Sequence, residues 1–266
     1  GRFDAPMAQE PGLPPASRLE LCGAALIVLA GLVPRLRDVA APFDRGTEGA
    51  QGAFFAIAAV NYERLGIGSA GGYPALNIDA MREPRPGALL PIESEHWLVH
   101  ADQPPLVPLL AWAALEALGP DGWSEAWRAG RAPAGIELPL RLPFALAQVL
   151  FLGVLWWAVR ESHGPRTALI ALALAAAVPV LAFYGTLVGY ESPALLCVAL
   201  AAGFHVRWLR EGRAGDLGQF AFACCAGSCL GYAGACFVPF FVLATLSAGY
   251  VARGVAQALA GGAAAL

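Results

Sequence analysis

The chain contains no lysine; all 17 of its basic residues are arginine. With the alanine-rich apolar runs, that bias points to a GC-rich bacterial genome. Charge of either sign is scarce, at 14% of residues against 58% hydrophobic, and the mean hydropathy is +0.57. A soluble core of this length needs less apolar residue than that, so an integral membrane protein is expected. The net charge is only -3 and no basic cluster occurs, which excludes nucleic acid as a partner. No CxxC pairing is present either. The six cysteines, Cys22, Cys197, Cys224, Cys225, Cys229 and Cys236, all fall inside apolar segments, where sulfur acts as a small hydrophobe. This placement argues against a disulfide framework or a zinc site.

What is present is a series of apolar runs near the ~20 residues that cross a bilayer. They are Leu19 to Pro34, Leu138 to Val159, Ala168 to Tyr184, Pro193 to Leu209, Leu217 to Tyr232 and Ala235 to Val251. The shorter run from Pro104 to Leu118 carries Glu116 and is expected to lie on the outer surface against the bundle. With it out of the membrane, Arg18, Arg160, Arg166, Arg207, Arg210, Arg213 and Arg253 all share one side. The positive-inside rule makes that side cytoplasmic. Residues 35–137 then form an extracytoplasmic loop and residues 185–191 a second, short one. Ser192 and Pro193 would cap and start the fourth span, and Gly231 to Gly234 would turn between the last two.

Residues 1–17, rich in Pro and Gly, read as a disordered cytoplasmic tail. Arg35, Arg37 and Asp38 behind the first run favour an uncleaved signal-anchor over a signal peptide. Residues 254–266 read as the start of a further span, cut short. The expected module therefore occupies residues 18–253.

Candidate chemistry concentrates in the long loop. Thr47 is placed to begin a helix that Gly66 ends, with Glu48 in its first turn, where the helix dipole favours an anion. Ala50, Phe54, Ile57, Ala58, Asn61 and Leu65 recur at helical spacing, which predicts a helix in the interface plane. Asp44 lies one turn before Glu48. His96, His100 and Asp102, beside Glu93 and Glu95, are of the residue types that hold a divalent metal, His100 and Asp102 foremost. Interfacial polar residues are the plainer reading of that group. Glu191 sits where the fourth span begins, facing the same compartment. Arg141 opens the second span, placed either to meet a phosphate or to snorkel to headgroups. His205 and Gln148 read as structural; Tyr184, Tyr190, Trp156, Trp157 and Trp208 read as an interfacial belt.

The order of these pieces resembles the GT-C membrane glycosyltransferases of the protein-mannosyltransferase and aminoarabinose-transferase type. The resemblance rests on Ala53 to Gly66 with Asn61 within it, on Gln103-Pro104-Pro105 to Leu110, on Arg141-Leu142-Pro143, and on Tyr184 to Glu191. It implies an all-α polytopic bundle of about six spans with two amphipathic juxtamembrane helices in the first outer loop. It also implies transfer of a sugar, with inversion, from a polyprenyl-phosphate donor to a lipid, glycan or protein acceptor outside the cytoplasm, in a bacterial inner membrane. An acid in the first outer loop would take the acceptor's proton.

Counting back from Gly66 and Asn61, that acid falls on Gln51, which cannot act as a base. Glu48, then Asp44, are the nearest substitutes, with Glu191 as a third catalytic candidate. Arg45, Gln51, Asp102, Gln103 and Arg141 are the candidate substrate-binding residues. Val60 stands where the family has an arginine. The competing expectation, favoured by Gln51, is a transferase-like protein without catalysis, or a transporter of lipid-linked sugar.

Overall fold

The computed structural model describes residues 14–37, 39–43, 47–67, 105–129, 133–231 and 236–246, and no strand occurs among them. The first helix, α1 (Arg18–Leu36), starts from a reciprocal cap: Ser17 Oγ accepts from Glu20 N at 3.2 Å while Ser17 N donates to Glu20 Oε2 at 2.8 Å. It runs through Pro34 rather than stopping there. Next comes α2 (Thr47–Leu65), closed by Gly66 at φ +77°, so the turn residues identified in the sequence bound the element as expected. The helix α3 (Leu106–Leu118) lies inside the Pro104 to Leu118 run, and a short α4 (Trp123–Arg128) follows that hydropathy did not signal.

The axis of the molecule is α5 (Glu137–His163), with Pro143 tolerated inside it. After Gly164, whose φ of +82° reverses the chain, come α6 (Pro165–Ala177) and α7 (Pro179–Thr186). The expected third span, Ala168 to Tyr184, is thus not one helix: it bends by 64° between α6 and α7. The physical reason is Pro179, which lacks an N–H and drives Val178 to φ -71°, ψ 115°, outside the helical region. The remaining helices are α8 (Glu191–Glu211), α9 (Ala214–Leu230) and α10 (Cys236–Leu246).

Among the described residues three helices, α1, α5 and α8, are long and apolar enough to cross a membrane, and four crossings result if the bent pair counts as one. α9 and α10 coincide with the last two expected segments but are described over fewer residues than the ~20 a crossing needs.

Two cores stack along α5. In the first, Leu140 and Phe144 of α5 pack with Phe55, Ala59 and Val60 of α2, Val107, Ala111 and Leu115 of α3, Trp123 and Val188. In the second, Phe151 and Leu152 meet Ala24 of α1, Leu172 and Ala175 of α6, and Ala199 of α8. α3 buries a stripe, Val107, Pro108, Ala111, Ala114 and Leu115, as an amphipathic helix does. α2 does not. Phe55, Ala56, Ala58, Ala59, Val60, Asn61 and Tyr62 are all buried while Ala53, Phe54 and Ile57 are half-buried, so burial extends well beyond one stripe. Its small alanines allow α3, α4 and α5 to close in on it.

Polar contacts sort the helix ends. Arg160 at the end of α5 reaches Glu20 at 3.6 Å and Pro14 O at 2.6 Å, and Arg210 at the end of α8 pairs with Glu161. Arg207 of α8 pairs with Asp216 of α9 at 3.4 Å. The N-terminal ends of α5 and α8 therefore lie at the opposite end of the bundle, with the C-terminal end of α1. Trp157 does not join an aromatic belt: its ring lies on Gly203 and stacks edgewise on Phe204, 5.0 Å between centroids, inside the α5–α8 contact.

Candidate active site

Arg141, at the head of α5, is almost completely buried. Its Nη1 donates to Val39 O at 3.3 Å and to Ala41 O, the chain that leaves α1. Its guanidinium carbon stands 4.4 Å over the Phe43 ring, a cation–π contact in a desolvated setting. The tip of that ring meets Gly52 of α2, where an added Cβ would come within 2.7 to 2.9 Å of Phe43 carbons. The charge thus faces inward and does not snorkel. Its described contacts tie the α1–α2 connection between α5 and α2.

Gln51 precedes Gly52 and so stands beside this stack. Its Oε1 is buried without a hydrogen-bond partner among the described residues. Glu48 is one turn earlier in α2, near the helix N-terminus. Its side chain, like the whole of Asp44, Arg45, His100, Asp102 and Gln103, lies outside what the structure describes. Phe43 thus links Arg141 of α5 to Gly52 of α2, the residue next to Gln51.

Glu191 is the first residue of α8, and Tyr190 carries the cap position without a side-chain hydrogen bond. Ser192 was expected as that cap. Instead its Oγ donates back to Tyr184 O at 2.8 Å, tying the end of α7 to the start of α8. The Glu191 carboxylate folds back closely over Gly189, so a Cβ there would have to displace it. Beside it opens a cavity of about 320 Å³, lined by Val180, Leu181 and Tyr184 of α7, Tyr190, Ala194, Leu195 and Val198 at α8, and Phe237 of α10. Among the described residues, Glu191 is the one carboxylate on that lining. Tyr184 and Tyr190, assigned to a belt by the sequence, are cavity walls. Tyr190 also needs Gly231, where a Cβ would come within 2.9 Å of its ring.

The family model for dolichyl-phosphate-mannose-protein mannosyltransferase matches residues 135–266. That stretch is similar to this family, which supports membership of the GT-C glycosyltransferases. No curated protein and no solved structure matches it. The match begins just before α5 and takes in Arg141 to Pro143, Tyr184 to Glu191 and the cavity. It does not reach α2 or α3, so this similarity is independent of the loop segments that carried the resemblance in the sequence. The cavity beside Glu191 is lined by residues that fall within the matched stretch.

Proposed function

We propose that this protein transfers a sugar from a polyprenyl-phosphate donor to an acceptor outside the cytoplasm, with inversion at the anomeric carbon. The observation that supports this reading is the apolar cavity with a single carboxylate at its end. An isoprenoid tail needs an apolar wall, and the reacting headgroup needs an acid beside it. In the reaction the acceptor hydroxyl loses its proton to a carboxylate as its oxygen attacks the anomeric carbon. The bond from that carbon to the phosphate oxygen breaks, and the polyprenyl phosphate leaves as an anion.

Glu48 is assigned the base, with Asp44 second. Glu191 orients the acceptor, together with Asp102 and His100, which would also hold a divalent ion if one takes part. Arg45 meets the leaving phosphate. Arg141 contributes by holding the loop that carries Asp44 and Arg45, since its Nη1 already serves Val39 and Ala41. Gln51, as an amide, would donate to the sugar or the phosphate. The protein is placed in a bacterial inner membrane with its N-terminus cytoplasmic and six crossings, α9 and α10 supplying the last two.

Purified membranes carrying Glu48→Gln, Asp44→Asn, Glu191→Gln or the Glu48/Asp44 double variant are assayed for sugar release from a polyprenyl-phosphate donor. Loss of the base lowers turnover by about 10²–10⁴-fold. Full activity in all four variants overturns the assignment. A wild-type protein that binds the donor without turnover supports the reading favoured by Gln51, a transferase-like protein without its base.

A further inference from the structure

The break between α6 and α7 leaves a backbone acceptor without its helical donor. Ala175 O would receive the N–H of residue 179, and proline has none. An unmet carbonyl in an apolar bundle carries the cost of a lost hydrogen bond. Arg35, fully buried at the end of α1, fills this place. Its Nη2 donates to Ala175 O at 3.1 Å, and its Nη1 donates to Ala176 O at 3.2 Å and to Gly31 O at 2.7 Å. The approach depends on Gly31, where a Cβ would stand 3.1 Å from the Ala176 Cβ and 3.3 Å from Arg35 Nη1.

The same side chain supports α7 beyond the bend. Gly185 rests between Arg35 and Gln148: a Cβ there would be 3.4 Å from Arg35 Cγ and 3.0 Å from Gln148 Cγ. Gln148 is fully buried, and neither its Oε1 nor its Nε2 has a partner among the described residues; Arg35 Nε has none either. The donor on Arg35 and the acceptor on Gln148 are complementary groups flanking one glycine. Val180, Leu181 and Tyr184 of α7 meanwhile line the cavity that ends at Glu191.

We infer that Arg35 is a positioning residue for that cavity: it supplies the hydrogen bond that Pro179 cannot, sets the α6–α7 bend, and with Gln148 seats the α7 wall. The backbone part of this inference stands alone; its kinetic part rests on the sugar-transfer reading above.

The test compares amide exchange over residues 180–186 in the full chain, in lipid nanodiscs, for wild type, Arg35→Met, Pro179→Ala and the double variant. Arg35→Met speeds exchange about tenfold or more, the size expected for losing hydrogen bonds from a charged donor. With Pro179→Ala a backbone N–H faces Ala175 again, so adding Arg35→Met then changes exchange by less than about threefold. Equal acceleration in both backgrounds overturns the inference. Should Arg35→Met fail to fold, Arg35→Lys decides. A single ammonium cannot fork across both carbonyls, so exchange falls between wild type and the roughly tenfold rise; wild-type exchange there overturns the inference. In kinetics with an undecaprenyl-phosphate sugar, Arg35→Lys raises KM severalfold and leaves kcat within about twofold. A fall in kcat at constant KM overturns the positioning role. No turnover by wild type overturns sugar transfer instead, and the exchange comparison still decides Arg35.

Discussion

Gly52 shows how much one missing methyl can matter. The tip of the Phe43 ring crowds the space of its absent Cβ, and Arg141 stacks on the same ring. Gly52→Ala gains helix propensity but must displace that ring, so overpacking wins and stability falls by about 1–3 kcal/mol. A detergent thermal melt checks this, and an unchanged or raised midpoint contradicts the stack. Tyr62 makes a second prediction at this scale. Burial in the α2 core pushes its phenol up to about 12. A raised acid pKa means the folded state holds the proton longer than the unfolded chain. The contribution is therefore complete below the unfolded value near ~10 and is lost as pH rises through about 12. Tyr62→Phe flattens the melting midpoint across that alkaline window; an unaltered slope counts against a buried phenol. At the residue scale, sequence placed Arg141 at the head of a span but not the direction of its guanidinium. That direction follows from a ring and two carbonyls about a hundred positions away in the chain.

Among the elements, α2 was legible because Thr47 and Gly66 mark both ends in local chemistry. Its surroundings were not: alanine-rich periodicity looks alike whether a helix is laid on a surface or enclosed. The α6–α7 bend was hidden differently. Hydropathy stays high from Ala168 to Tyr184 and averages over Pro179, although Val178-Pro179 is itself the signal of a break. Close contact between α5 and α8 depends on Gly203, whose position Trp157 overlaps. Gly203→Val should separate those helices and cost about 1–3 kcal/mol. Its melting temperature falls, and the small-side-chain partner Trp157→Ala recovers part of the loss in a double-mutant cycle. α10 is seated by His205, whose Nε2 lies 2.7 Å from Thr245 Oγ1. The Thr245 hydroxyl donates to Phe241 O at 2.9 Å, so it accepts from the imidazole. Thr245→Val removes that acceptor and should cost about 1–3 kcal/mol, read in the same melts.

For the whole molecule, the arginine asymmetry that set the expected topology has a structural counterpart. Arg160, Arg207 and Arg210 gather at one end with Glu20, Glu161 and Asp216, and Arg141 and Glu191 belong to the other. Single cysteines at Arg213 and Thr186, in a background with the native cysteines replaced, should therefore be labelled from opposite faces of sealed vesicles. Labelling of both from one face contradicts the two-ended arrangement. The proposed site would draw on the turn after α1, the second turn of α2, the head of α5, and α7, α8 and α10, which no single stretch of sequence juxtaposes.

The wall that Phe237 adds to the cavity, and the hydroxyl that Thr245 offers His205, both come from α10. During synthesis these groups leave the ribosome after every other part of the bundle described. Until then the pocket lacks a side, and an imidazole between α8 and α9 lacks its acceptor. A nascent chain in which α10 has not yet packed therefore has this cavity open along the face that Phe237 covers.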